Sequence, residues 1–298
     1  MRRRGAARVA LSALLGVNLI LPSRPEPVAA AGFVEAYPVT AAAMRAAGHP
    51  YADWVADGRR FLTFDARGDG RAVEVLGDLA DADRIAVLVP GVGSTLADFD
   101  RGLGGVAGRA PAVQAAQLYR RLRSTDPSAR VAVLAWLGYD PPDGVVAAVS
   151  DASARRGAVG LAGLLRELAT RRPTATITVI GHSYGALVAA LAAAHAPAQV
   201  GDVVSLGGVG AGVQRADELR DGLRFWAAEA SSDWIRRVPG VRLPDLGYGR
   251  RPGDPAFGAR PLPVDGVSGH DGYLATGSAT LGALAEVVLG TGPVEEAR

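Results

Sequence analysis

Thr176-Ile177-Thr178-Val179-Ile180-Gly181-His182-Ser183-Tyr184-Gly185 runs from a short apolar segment straight into a G-x-S-x-G pentapeptide, and an alanine- and leucine-rich stretch follows at once. A continuous run of aliphatic and β-branched residues bounded by glycine reads as a strand buried on both faces. The segment from Tyr184 to Ala196 reads as the helix behind it. Ser183 therefore sits at the joint between strand and helix. Gly181 and Gly185 leave room for the two elements to pack closely, so the turn strains the serine backbone and lifts its hydroxyl above the sheet edge. A serine that merely caps the helix is the competing reading, and the strand-turn-helix context argues against it.

Outward from this joint the same alternation repeats. Arg84 to Val89, Arg130 to Trp136 and Asp202 to Leu206 are further continuous apolar runs, and Pro111 to Arg123 and Gly144 to Arg172 supply crossover helices between them. Phe61 to Asp65 and Ala72 to Leu76 flank Arg67-Gly68-Asp69-Gly70, the punctuation of an antiparallel hairpin. Leu223 to Ala228 and Ala259 to Val264 add two late strands, and a helix from about Ser278 to Leu289 closes the chain. The expectation is one α/β domain over residues 61–298, a mostly parallel doubly wound sheet of about eight strands flanked by helices. A helical lead-in over residues 32–60, interrupted by Pro38 and Pro50, precedes it. The stretch from Arg237 to Phe257, dense in Pro and Gly, is the one irregular insertion and a candidate for a small lid.

Composition narrows the chemistry. The chain has 298 residues, 49% hydrophobic and 21% charged, which is enough for a sizeable core. It has no cysteine, hence no disulfide, no thiolate metal site and no cysteine nucleophile. Its four histidines are scattered with no H-E-x-x-H pattern, so no metal site is expected. Gly102-Leu103-Gly104-Gly105-Val106-Ala107 fits G-x-G-x-x-A but begins too far past its strand to be a dinucleotide turn, and no P-loop occurs.

The first residues bias the charge. Arg2, Arg3, Arg4 and Arg8 precede an apolar run from Val9 to Leu21, and small residues at Val28 to Ala31 suit a signal peptidase. Residues 1–31 therefore read as a signal peptide, with an uncleaved membrane anchor as the alternative. They hold five Arg and one Glu, so the stated net charge of +2 becomes −2 once they are removed. A chain of that balance, with arginines dispersed among acids, is not expected to bind nucleic acid. The expected location is secreted or in the cell envelope, with no stable membrane span after cleavage.

A serine nucleophile needs a base and an acid, which on this type of sheet follow in the order serine, acid, histidine. His270 is the base expected: it lies after the last strand, whereas His195 is far along the helix, His49 precedes the sheet, and the side chain of His182 should point away from Ser183. The acid belongs at the carboxyl end of a late strand, which Asp233 satisfies. Glu229, four residues earlier, is the rival; Asp202 begins its strand at the wrong edge. Backbone donors for an oxyanion come from Tyr184, after the serine, and from Val89-Pro90-Gly91-Val92-Gly93-Ser94, where Val92 leads and Gly93 is next. Gly91, Gly93, Trp136 and Tyr139, all at strand ends on this edge, are the candidate pocket residues.

Together these segments carry a resemblance. The elbow at Ser183, the Val89 to Ser94 loop, Ala135-Trp136-Leu137-Gly138-Tyr139-Asp140-Pro141-Pro142, Asp233, Phe257-Gly258-Ala259-Arg260 and His270-Asp271-Gly272-Tyr273 resemble the actinobacterial α/β-hydrolases of unassigned function, over Phe61 to Leu289. The resemblance implies the α/β-hydrolase fold, a Ser183, Asp233, His270 triad and no cofactor. Where many relatives have a Gly-Ser-Pro-Gly-like turn after the next strand, this chain has Gly207-Gly208-Val209-Gly210. The expected activity is hydrolysis of a small-molecule carboxylic ester through an acyl-enzyme. Acyl transfer by the same residues, or a non-catalytic binding module on this fold, are the alternatives.

Overall fold

In the computed structural model, residues 33–144, 147–238, 242–243 and 246–292 are described. The leader proposed for residues 1–31 lies outside them. Ten strands and six helices alternate: α1 (Phe33–Ala47), α2 (Tyr51–Ala56), β1 (Arg60–Asp65), β2 (Arg71–Gly77), β3 (Arg84–Val89), α3 (Pro111–Thr125), β4 (Val131–Leu137), α4 (Ala152–Arg171), β5 (Thr176–His182), α5 (Tyr184–Ala193), β6 (Val200–Leu206), β7 (Arg224–Ala228), β8 (Arg242–Leu243), β9 (Leu246–Gly247), β10 (Arg260–Pro261) and α6 (Ala279–Leu289). Eight of the strands form one sheet in the order β1-β2-β4-β3-β5-β6-β7-β10. From β4 to β10 every neighbour is parallel. The hairpin β1-β2 is antiparallel and joins β4 antiparallel. This is the α/β-hydrolase fold.

The continuous apolar runs explain the burial on both faces. Ile85, Val87 and Val89 of β3 point into one core with Leu161, Leu165 and Leu168 of α4, while Ala86 and Leu88 point into the other with Leu118 of α3 and Leu284 of α6. The sheet is thus covered by α4 and α5 on one side and by α3 and α6 on the other.

Three expectations shift. The helix read from Gly144 begins at Ala152, because a short 3-10 turn at Ala147–Val149 lies among the residues before it. The strand read over Ala259 to Val264 shrinks to Arg260–Pro261, since Pro261 and Pro263 have no N–H to give a ladder and the strand is at the sheet edge. Pro38 lies exposed inside α1 instead of ending it.

Candidate active site

The turn from β5 into α5 carries the strain its sequence implies. Ser183 has φ 56° and ψ −123°, the one positive φ outside glycine among the described residues. A Cβ on Gly181 would overlap the backbone of Ala186, and one on Gly185 the carbonyls of Val89 and Pro90, so strand and helix can approach this closely only at glycine. Ser183 makes no side-chain hydrogen bond capping its helix. Its hydroxyl is committed to no local structural task.

Ser183 lines a cavity of about 250 Å³ at the carboxyl edge of the sheet, and His270 lines the same cavity. His270 Nδ1 lies 2.9 Å from both Asp233 Oδ1 and Oδ2. A carboxylate only accepts, so Nδ1 carries a proton, which in the neutral ring puts the lone pair on Nε2. Asp233 follows β7 and is 3% exposed. Three donors converge on it: His270, the Tyr273 hydroxyl at 2.6 Å from Oδ2, and the Ile235 N–H at 2.8 Å from Oδ1. Burial by itself would raise the Asp233 pKa, but the hydrogen bonds from His270, Tyr273 and Ile235 outweigh it and hold the carboxyl below the usual aspartate value. Tyr273 moves the opposite way, pushed up by burial and by the carboxylate it donates to. Glu229 is elsewhere: its carboxylate takes Arg251 at 3.2 Å and Arg236 at 3.6 Å.

Two of the backbone N–H groups around Ser183 are committed elsewhere. The Ser183 N–H is used by the Leu206 carbonyl at 2.9 Å and the Gly93 N–H by the Pro142 carbonyl at 3.0 Å. Val92 and Tyr184 have no such commitment among the described backbone bonds, and Tyr184 opens α5, where N–H groups lack intrahelical partners. Tyr184 is itself pinned, its hydroxyl donating to Ser150 O at 2.8 Å and accepting from Ala154 N at 3.1 Å.

Of the pocket candidates, Gly91 lines the cavity, and so does Val92. Gly93 does not, being turned to Pro142. Trp136 and Tyr139 are corrections as well. They stack on each other at 5.7 Å, both about 3% exposed, against Gly157 and Gly160 of α4, and the Tyr139 hydroxyl donates to Pro90 O at 2.7 Å. Tyr139 thereby braces the Val89 to Ser94 loop from behind. No described residue of the Arg237 to Phe257 insertion lines the cavity either; Tyr248 from it packs edge-on against Tyr184 at 6.0 Å.

The structure adds residues that sequence reasoning passed over. His182, expected to point away from Ser183, lines the cavity and turns its ring to His270. Its ring lies 4.8 Å from that of His270 and its Nε2 is 2.8 Å from the His270 carbonyl oxygen, which requires the proton on Nε2. Burial, then the neighbouring His270, push the His182 pKa down to about 4, so it stays a neutral donor. Gly207 has φ 54°, and a Cβ there would come within 2.6 Å of Asp233 Oδ2 and 3.2 Å of His270 Cε1. Gly207 thus makes room for Asp233 and His270. Leu103 and Arg109, from the long connection after β3, and Trp234, beside Asp233, complete the wall; Arg109 Nε donates to Asp271 at 2.9 Å. The His-Asp-Gly-Tyr motif was the available signal for Tyr273.

Residues 65–243 match the alpha/beta hydrolase family known as Abhydrolase_8, and the chain belongs to it. An uncharacterized protein of Mycobacterium tuberculosis is 32% identical over 218 residues, covering 71% of this chain and 76% of that protein. A second one from the same species is 29% identical over 260 residues, covering 76% of this chain and 38% of that protein. Among solved structures, a serine hydrolase without a lid from Xanthomonas campestris is similar at 15% identity and TM-score 0.42, over 78% of this chain and 93% of that one. A carboxylesterase from Mesorhizobium loti is similar at 16% identity and TM-score 0.44, over 76% and 98%.

Proposed function

We propose that the protein is an exported serine hydrolase that cleaves carboxylic esters. One observation carries the reading: a buried carboxylate grips Nδ1 of a histidine that shares a cavity with the strained Ser183. In this mechanism Ser183 Oγ attacks the acyl carbon and His270 Nε2 accepts its proton. Asp233 holds the imidazole ring and stabilises the charge it gains. The N–H groups of Val92 and Tyr184 bind the oxyanion, and His270 returns the proton to the departing alkoxide. Water activated by His270 then releases the acid and frees Ser183. His182 supports the step by fixing the His270 main chain while adding no positive charge beside an imidazole that must itself become cationic.

Family membership and the Ser183 geometry support the hydrolase class, and the arginine-rich, apolar leader supports export. Among the described residues no helix is long and apolar enough to cross a membrane. The test is turnover of short-chain aryl esters by the wild type and by Ser183→Ala, with the fold of both checked by circular dichroism. Turnover lost in Ser183→Ala is the expected result. Equal turnover in both proteins, or no turnover of any ester, sinks the proposal.

A further inference from the structure

Leu103 and Trp234 both line the cavity, yet they are 39% and 43% exposed, so its apolar wall continues onto the outer surface. Val106, 40% exposed, closes a turn on Leu103 with its N–H 3.4 Å from the Leu103 carbonyl, three residues along the same connection. Only six large apolar side chains stand exposed among the described residues, and these are three of them. Singly exposed apolar residues need no explanation, but a set contiguous with a cavity does. The charged groups at this wall cancel locally: Arg109 is paired with Asp271 at 2.9 Å. Nothing here calls for a charged ligand.

Resting on the reading of Ser183 as the site of reaction, we propose that the substrate is an uncharged ester with an extended apolar acyl chain. The reacting end sits in the cavity, and the distal carbons lie over Leu103, Val106 and Trp234. Leu103 is placed for this by its own packing, since a Cβ on Gly93 would come within 2.9 Å of Leu103 Cδ2: the side chain lies directly on the loop that lines the cavity. Trp234 lines the same cavity beside the base, its ring 4.8 Å from the ring of His270. A chain long enough to reach these side chains gains apolar burial that a two-carbon acyl group never reaches.

The test separates binding from turnover. Binding of methyl butanoate, octanoate and dodecanoate to the full chain carrying Ser183→Ala is measured by calorimetry, alone and with Leu103→Ser or Val106→Ser added. In parallel, kcat/KM of the wild type is measured on nitrophenyl acetate, octanoate and decanoate. Affinity should rise at least about tenfold from butanoate to octanoate, the gain expected if somewhat under half of the four added methylenes' surface is buried, and Leu103→Ser should remove most of that gain. Val106→Ser, at an exposed position, gives the same reading on dodecanoate should Leu103→Ser fail to fold. A chain-length gradient in binding with no hydrolysis of any ester would uphold the apolar-chain site and sink the ester-hydrolase reading. Hydrolysis with a flat binding series, or a gradient untouched by both serine variants, would leave the hydrolase standing and overturn the apolar-chain proposal; the rim would then be a surface for another macromolecule.

Discussion

Two buried aspartates, at opposite edges of the same sheet, have nearly the same surroundings. Asp202, at the amino edge, receives Arg224 Nε at 2.7 Å and Nη2 at 2.6 Å, and the Trp226 indole N–H at 2.8 Å. Asp233, at the carboxyl edge, receives His270 on both oxygens, the Tyr273 hydroxyl and a backbone N–H. Each is thus a carboxylate held by a nitrogen base and an aromatic donor. The difference lies in the base. A guanidinium keeps its proton at every physiological pH, so Asp202 and Arg224 form a permanent pin between β6 and β7; an imidazole can give its proton up and take it back. Of the two bases it is His270 that lines the cavity of Ser183. Burial and hydrogen bonding therefore do not single out a candidate carboxylate by themselves; a titratable partner at the ligand edge of the sheet is what makes Asp233 the candidate.

The widest gap between the two edges should come from the same substitution made at each. Asp233→Asn should lower kcat/KM by about 10⁴-fold while leaving the fold intact, by analogy with other triads. Asp202→Asn should leave kcat/KM within a few-fold and instead cost about 1–2 kcal/mol in chemical denaturation, since it weakens a partly exposed ion pair. Comparable activity losses in the two variants would erase the distinction. A smaller effect is expected at Gly207. Gly207→Ala puts a methyl against Asp233 and His270 at a positive φ, and should reduce kcat roughly 10- to 100-fold with a lowered Tm. An alanine accepted with full activity would mean that the acid and base tolerate displacement.

The smallest effect sharpens the role of the second histidine. His182 titrates near 4 in the fold against 6.5 when unperturbed, so the unfolded chain binds the proton first as pH falls. Stability should therefore decline between about pH 6.5 and 4 and lose nothing further from this group below that. His182→Gln, which retains an N–H donor, should flatten this part of the stability profile while keeping most of the activity. A profile unchanged by the substitution would show that His182 is not the buried neutral group described.

The fold was legible because its strands are buried on both faces: β3 and β4 are nearly continuous apolar runs, and β5 and β6 keep enough Val, Ile and Leu around Thr178, Asp202 and Ser205 to read the same way. Ser183 and Asp233 were legible for a related reason, since both lie where a strand ends on the ligand edge. The cavity wall was not. Trp136 and Tyr139 also lie at such an end, yet Gly157 and Gly160 on α4, some twenty residues on, open the space that draws both rings away from the cavity. Leu103 and Arg109 belong to a connection with no periodicity to reveal which side chains turn inward. His182 was misjudged because its partner is a main-chain carbonyl 88 residues away. Local pattern reveals elements and their edges; the facing of loop residues depends on elements distant in the chain.

The central claim is that Ser183 is an activated nucleophile. Labelling of the folded protein with a fluorophosphonate, with the adduct mapped by mass spectrometry, tests it most directly. The account predicts a single adduct on Ser183 that disappears in His270→Ala. A folded protein that takes no label, or one whose labelling survives His270→Ala unchanged, would contradict it.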